Sequence, residues 1–279
     1  MMIVDEHIHL GGLYQDTDYF LQCLNESQID FVLATPYMFE DKDIPRVLKT
    51  KKIPPWLAGT KFAMNLTSKV MRNKRFRTKY IDKPPNCYVA EMARKYPERI
   101  YGVYWINPNL EGISEIEKYL VDHDFVAIKL HQVIYPCELN QKNLKIFDLA
   151  NEYKVPVFVH ADNVQEVKTM IQYANKKPDL NIILAHMGFY EEIADEISDF
   201  YNIHFDISPL YAHRDGKILN AIQKVGTERL IFGSDSPCPG TLKYAVNRIK
   251  RLNIPEEDKN KILGENIINL ISKRATLKH

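Results

Sequence analysis

The sequence predicts an α/β protein folded as one (β/α)8 TIM barrel. Three observations carry that expectation. Short β-branched or aromatic runs recur eight times, with amphipathic stretches in the gaps between them. The chain has 279 residues, a length that suits such a barrel as a single domain over 1–279. Several of the runs stop at a residue able to bind a metal or a substrate, which is where a barrel of this kind builds its site.

The first strand is expected near 2–9, where the chain reads Ile3-Val4-Asp5-Glu6-His7-Ile8-His9. Alternate side chains of a strand share a face, so His7 and His9 would point together, with Asp5 beside them. A helix follows near 18–28. The second strand is Phe31-Val32-Leu33-Ala34, ending at Thr35-Pro36. The third covers 100–106 and ends at Asn107-Pro108, a turn signal. The fourth lies near 125–131 and ends in Lys129-Leu130-His131. The fifth, near 156–160, leads into His160-Ala161-Asp162, and the sixth, near 181–186, into His186-Met187-Gly188. The seventh is Ile203 through Ser208. The eighth, near 229–235, leads into Asp235-Ser236-Pro237. Helical patterns fall near 86–96, 113–122, 142–153, 163–175, 189–200, 214–224 and 240–252, and Pro255 through Lys273 reads as two short closing helices.

Closure of the barrel decides what these endings mean. It sets strand 1 beside strand 8, so His7, His9 and Asp235 can meet at one point, whereas an open sheet would keep them apart. Two imidazoles held this close suit one metal ion better than they suit a hydrophobic core. An isolated histidine at a strand end is more often a hydrogen-bonded structural residue. The ordered series of endings is what argues for a site.

Residues 37–85 interrupt the rhythm with an insertion too long for an ordinary loop after a strand. From Ile44 to Lys83 it carries a dense run of lysines and arginines and one acid, Asp82. It reads either as a basic lid that draws anionic substrates to the barrel mouth or as a solvated excursion. Trp56, Leu57, Phe62, Met64 and Leu66 suggest that part of it packs on something.

Composition narrows the rest. The net charge of +1 gives no global reason to expect a nucleic-acid or membrane partner, and no run approaches transmembrane length. Cys23, Cys87, Cys137 and Cys238 are far apart with no CxxC, which argues against a disulfide framework and fits a reducing cytoplasm. The first strand begins almost at residue 1 and carries charge, so no signal peptide is expected. Homo-oligomer formation stays open.

With these residues assembled, the chain resembles the amidohydrolase superfamily, in its amidohydrolase-2, decarboxylase-like branch. The matching elements are Asp5-x-His7-x-His9, Lys129-Leu130-His131, His160-Ala161-Asp162, Leu184-Ala185-His186-Met187-Gly188, Phe232-Gly233-Ser234-Asp235-Ser236-Pro237 and Ile262-Leu263-Gly264-Glu265-Asn266. The resemblance implies that His7, His9, His160 and Asp235 surround a divalent metal, most often one zinc. Manganese, or two metals bridged by a carboxylated Lys129, are the alternatives. It implies that Asp235 and His186 are catalytic, Asp235 as general base and His186 orienting water or polarising a carbonyl. Lys129 and His131 would contact the substrate. The expected reaction is metal-dependent hydrolysis of an amide, ester or lactone of a small anionic substrate through a metal-activated water. The alternative is nonoxidative decarboxylation of an aromatic or unsaturated acid on the same site. Retention of every ligand argues against a barrel that has lost catalysis and serves as a scaffold.

Asn107, Tyr135, Ser208, Tyr211 and Cys238 follow strand ends and are weaker candidates for substrate contact. His123, His204, His213 and His279 read as surface or structural residues, although His213 could reach the mouth.

Overall fold

The eight expected strands form one parallel sheet in chain order, β1 to β8. They are β1 (Val4–Leu10), β2 (Phe31–Pro36), β3 (Ile100–Ile106), β4 (Ala127–His131), β5 (Val157–His160), β6 (Ile182–Leu184), β7 (Ile203–Asp206) and β8 (Leu230–Ile231). The computed structural model describes residues 1–38, 82–197, 200–208, 214–237 and 242–275. The basic insertion therefore lies almost wholly outside the described residues, as do Tyr211, His213, Cys238 and His279.

The sheet closes on itself through the segment after β8. Ile8 bridges Ser236 in parallel, and the His9 N–H donates to the Ser236 carbonyl at 2.8 Å. The Glu6 N–H donates to the Phe232 carbonyl at 3.1 Å, and the Asp235 N–H to the His7 carbonyl at 2.8 Å. Residues 1–10 and 230–236 thus share a seam, and closure brings the first and last predicted ligands together.

Helices alternate with the strands much as the periodicity predicts. They are α1 (Thr17–Ser27), α2 (Asn86–Lys95), α3 (Ile113–Asp122), α4 (Gln141–Glu152), α5 (Val164–Asn175), α6 (Tyr190–Ile193), α7 (Asp215–Val225) and α8 (Leu242–Arg251). Asp16, Asn140 and Asn163 cap α1, α4 and α5 by accepting backbone N–H groups of the first turn. The expected helix near 189–200 is a short one. His186, Met187 and Phe189 all have positive φ, and these left-handed residues delay the helix to Tyr190, after which 194–197 are turns and a bend.

After α8 come α9 (Glu256–Asn260), a π-turn over Lys261–Glu265 and α10 (Asn266–Ala275). Ile267 and Leu270 of α10 pack with Val4, Leu33, Val103, Ala127, Phe158, Ile183 and Ile231 from the strands, so α10 plugs the floor of the barrel. Gly264 permits this, because a Cβ there would lie 2.3 Å from the Met2 carbonyl oxygen. A larger cluster holds the outer helices to the outer faces of the strands. No helix among the described residues is long and apolar enough to cross a membrane.

One irregularity corrects the reading of β1. The pairing with β2 shifts register between Asp5 and Ile8. Val4 belongs to the barrel-floor cluster, while His7 packs its ring edge-on against Phe158 at 4.5 Å, so both face inward at an odd spacing. The bulge makes that parity change. Asp5, one residue after Val4, is therefore on the other side and does not share the face of His7 and His9. Glu6 takes the inward place, close enough that its Oε1 would lie 3.1 Å from a Cβ on Gly233.

Candidate metal centre

At the C-terminal ends of the strands, β1 supplies His7 and His9, β4 supplies Lys129 and His131, and β5 supplies His160. His186 follows β6, Asp206 ends β7, and Asp235 follows β8. All lie at the rim where such barrels build their sites. His7, His9 and Asp235 come together as a group of donors. The Asp235 Oδ1 lies 3.5 Å from His7 Nε2 and 3.3 Å from His9 Nε2. Donors placed tetrahedrally about 2.1 Å from one zinc-sized ion would be about 3.4 Å apart, so the spacing fits a shared divalent cation.

The hydrogen bonds fix which ring nitrogen is available. His7 Nδ1 faces the Asp206 carboxylate at 3.1 Å and Ser208 Oγ at 2.9 Å. An ionised carboxylate only accepts, so Nδ1 carries the proton and Nε2 the lone pair. His9 Nδ1 lies 3.2 Å from the Pro36 carbonyl, which again leaves Nε2 free to ligate. His186 Nδ1 donates to the Ser208 carbonyl at 2.8 Å. His131 is the opposite tautomer. Its Nδ1 accepts the Ile134 N–H at 3.2 Å, so its Nε2 is a donor suited to a substrate oxygen and not to a metal.

Lys129 is buried among rings, 4.8 Å above Trp105 and 4.9 Å from Phe158. Its Nζ donates to His7 Nε2 at 2.8 Å. That nitrogen has one lone pair, so a metal on His7 must displace this hydrogen bond.

His160 stands apart from the tight donor group. Its ring stacks on His131 at 4.0 Å and meets His186 edge-on at 4.8 Å. Trp105 continues the stack over His131 at 5.5 Å with an interplanar angle of 11°. Asn86 fixes the Trp105 backbone by donating to its carbonyl at 2.9 Å and accepting its backbone N–H at 3.0 Å.

His7, His186 and Asp206 also approach one another. They form a hydrogen-bonded frame and not a second metal site. The Asp206 Oδ2 already accepts from His7, from the Ser208 hydroxyl and from the His186 N–H.

The remaining candidates sort by contact. Ser208 is fully buried and bonds His7 and Asp206, so it is part of this frame and not a substrate contact. Asn107 uses its amide on Asn109 and the Asp82 carbonyl, which makes it a loop anchor. Tyr135 packs edge-on against Trp105 at the wall of the site. His204 is structural, buried and 3.2 Å from Asn181 Oδ1, and His123 is on the surface. Sequence reasoning missed Asp206 and Glu6. Asp206 carried the same signal as the others, a polar residue closing an apolar run.

Burial holds His7, His131 and His160 well below the ordinary histidine range and lowers His9 too, with the Lys129 charge adding to each. They are therefore neutral, the form that ligates metals. Burial alone would raise Asp235, but His7, His9 and His186 outweigh it and hold this carboxylate below its usual range. Burial raises Asp5 to about 7 and lifts Glu6 well above its ordinary value, Asp206 adding to the latter.

These shifts set an expected pH dependence. Below about pH 6.5 the unfolded chain protonates imidazoles that the folded protein keeps neutral, so stability falls on acidification. The group comprises His7, His9, His131, His160 and His204, the last lowered to about 3 by burial. Asp5 and Glu6 oppose the trend, since between their raised and ordinary values the folded chain holds the extra protons. The imidazoles outnumber them. The metal-free protein should therefore lose stability from pH 6.5 to 5, by about 1.4 kcal/mol per pH unit for each net proton. A melting temperature that stays level or rises over that interval in calorimetry would contradict the assignment of neutral imidazoles.

The inward Nε2 atoms and the carboxylate at the strand ends make a candidate metal site on a (β/α)8 barrel. The chain belongs to the amidohydrolase family, whose model matches residues 4–271. No curated protein matches it. Among solved structures, the chain is similar to a dihydroxybenzoic acid decarboxylase from Polaromonas, with bound manganese and the inhibitor 2-nitroresorcinol. They share 17% identity at a TM-score of 0.63, over 97% of each chain. It is similar to a 5-carboxyvanillate decarboxylase from Sphingomonas paucimobilis, at 13% identity and a TM-score of 0.66, covering 97% of this chain and 99% of that one. It is also similar to a 4-oxalomesaconate hydratase from Rhodopseudomonas palustris, at 15% identity and a TM-score of 0.62, over 100% of both.

Proposed function

We propose that this protein is a divalent-metal-dependent nonoxidative decarboxylase of a planar aromatic or unsaturated carboxylic acid. The observation that carries the reading is the wall of near-parallel rings, Trp105 on His131 on His160, beside the metal donors. The end face of such a stack suits a flat substrate through offset stacking. The decarboxylases among the similar structures support this choice over hydrolysis, the reaction expected first from the sequence, where the same ligands serve both. The manganese in one of them supports manganese beside zinc as the ion.

His7, His9 and Asp235 would hold the ion, with His160 as the further imidazole. Its ring makes no hydrogen bond among the described residues, which leaves its nitrogens available. A divalent ion there would draw charge from substrate oxygens as negative charge builds during cleavage. The Nε2–H of His131 and the Nζ of Lys129 supply donors for anionic oxygens, where charge-assisted bonds are strong. His186, its Nδ1 held by Ser208, keeps Nε2 for a substrate hydroxyl. When the carbon–carbon bond breaks, carbon dioxide leaves and the electron pair stays on the ring carbon. Asp235, half-buried at the rim, takes up a proton from a substrate hydroxyl and returns it to that carbon. The basic run after β2 is consistent with an acid as substrate.

The test is carbon dioxide release from 2,6-dihydroxybenzoate, 5-carboxyvanillate and related acids by protein loaded with manganese or zinc. Release with one deuterium placed at the vacated carbon in heavy water is expected. Hydrolysis of lactone, ester or amide analogues with no carbon dioxide from any acid would return the reaction to the hydrolase reading.

A further inference from the structure

Asp206 lies at the end of β7, fully buried and away from the Nε2 atoms that face the ion site. Its Oδ2 accepts the His7 Nδ1–H at 3.1 Å and the His186 backbone N–H at 3.1 Å, and it also accepts the Ser208 hydroxyl. Its Oδ1 accepts the Ser208 N–H at 2.6 Å. Ser208 in turn presents Oγ to His7 Nδ1 at 2.9 Å and its carbonyl to His186 Nδ1 at 2.8 Å. Gly233 leaves the room for this approach, since a Cβ there would stand 2.7 Å from Asp206 Oδ1 and 2.8 Å from His7 Cβ.

We propose that Asp206 is a positioning residue that, with Ser208, sets the metal-ligand imidazole of β1 and the catalytic imidazole after β6 from one buried carboxylate. The proposal rests on the metal reading of the site. The proton count makes it specific. Both oxygens of Asp206 are acceptors, and the Ser208 hydroxyl spends its proton on Oδ2, so its lone pair faces His7 Nδ1. His7 therefore has two acceptors at Nδ1, and its Nε2 must carry the lone pair. His186 is held twice, by its backbone on Asp206 and by its ring on Ser208. The left-handed turn at His186, with φ of 58°, is pinned by that backbone bond. Movement of this carboxylate would disturb a ligand and a catalytic group together. A carboxylate behind a ligating histidine also raises the basicity of the ring, and loss of such partners typically costs 10- to 100-fold in metal affinity.

Two measurements test the proposal. The first is nitrogen-15 correlation spectroscopy of the imidazoles in the metal-free wild-type protein, with His7 assigned by its absence from His7→Gln. It should show His7 protonated at Nδ1. The second is the dissociation constant for zinc, measured by competition with a chromophoric chelator in wild type and Asp206→Asn. It should be about 10- to 100-fold weaker in the variant, with His7 shifted toward the Nε2–H form. The proposal is overturned if His7 in wild type is protonated at Nε2, whatever the variant does. It is also overturned if a folded Asp206→Asn protein binds zinc within twofold of wild type with its His7 tautomer unchanged. Wild-type protein that takes up no divalent ion defeats the metal reading, and the His7 tautomer then decides the Asp206 assignment on its own.

Discussion

Exchange of Asp235 for asparagine is expected to lower turnover by about 10³-fold, within the range for loss of a proton-transferring group, while the barrel stays folded. Asp235 has a positive φ of 55°, in the left-handed region that few residues other than glycine, asparagine and aspartate adopt readily. Asparagine keeps that backbone, and with it the hydrogen bond from Asp235 N–H to the His7 carbonyl that helps to close the sheet. The substitution therefore removes the charge and little else. On the proposed reading, the pair of Nε2 atoms then loses its anionic co-ligand, and the proton that Asp235 would carry to the substrate loses its carrier. Metal content by elemental analysis should fall together with turnover, and far-UV dichroism should not change. Turnover within tenfold of wild type would show that another group does the chemistry.

The second large effect is on stability. His7→Ala should destabilise the metal-free protein by roughly 3 kcal/mol, combining a lost hydrogen bond to a charged group with a core cavity. His7 is 2% exposed and accepts from Lys129, which is itself 1% exposed. Removing the ring takes that acceptor from a buried amine and leaves Asp206 and Ser208 without their shared donor. Lys129→Met in the same background should recover part of the loss, because the thioether chain fills similar space among Trp105 and Phe158 and has no charge to desolvate. Chemical denaturation of the single and double variants gives the coupling directly. If Lys129→Met lowers the stability of His7→Ala further, Lys129 is held by something other than His7.

The strands were legible because each pairs a β-branched run with a polar stop, and the order of the stops implied closure. His7, His9 and Asp235 meet as that logic requires. The bulge in β1 was not legible. Periodicity assumes an unbroken alternation, so it put Asp5 inward, where the register shift puts Glu6. The helix near 189–200 starts later and is shorter than its amphipathic spacing implies, because spacing says nothing of the left-handed residues ahead of it. Ser208 looked like a rim contact because sequence gives strand position but not depth. Asp206, near the end of the same strand, closes an apolar run as the other site residues do, but its partners His7 and His186 come from segments that no local spacing links to it. The tautomer difference between His131 and His7 depends on a backbone N–H in one and a carboxylate from β7 in the other, and no spacing rule encodes it.

The seam between β1 and the segment after β8 has a consequence for how the molecule is made. Its contacts join the two ends of the sheet, as where the Ser234 N–H reaches the Asp5 carboxylate at 2.9 Å. Contacts of such sequence separation carry a high loop-closure cost and tend to form late and slowly. The ion site is one of them, since its donors come from residues 7, 9 and 235. An emerging polypeptide could assemble β2 to β7 before His7, His9 and Asp235 meet. On the proposed metal reading, affinity for the ion is a readout of the last stitch in the barrel, and an ion that binds only the closed form would act as a latch that slows its reopening.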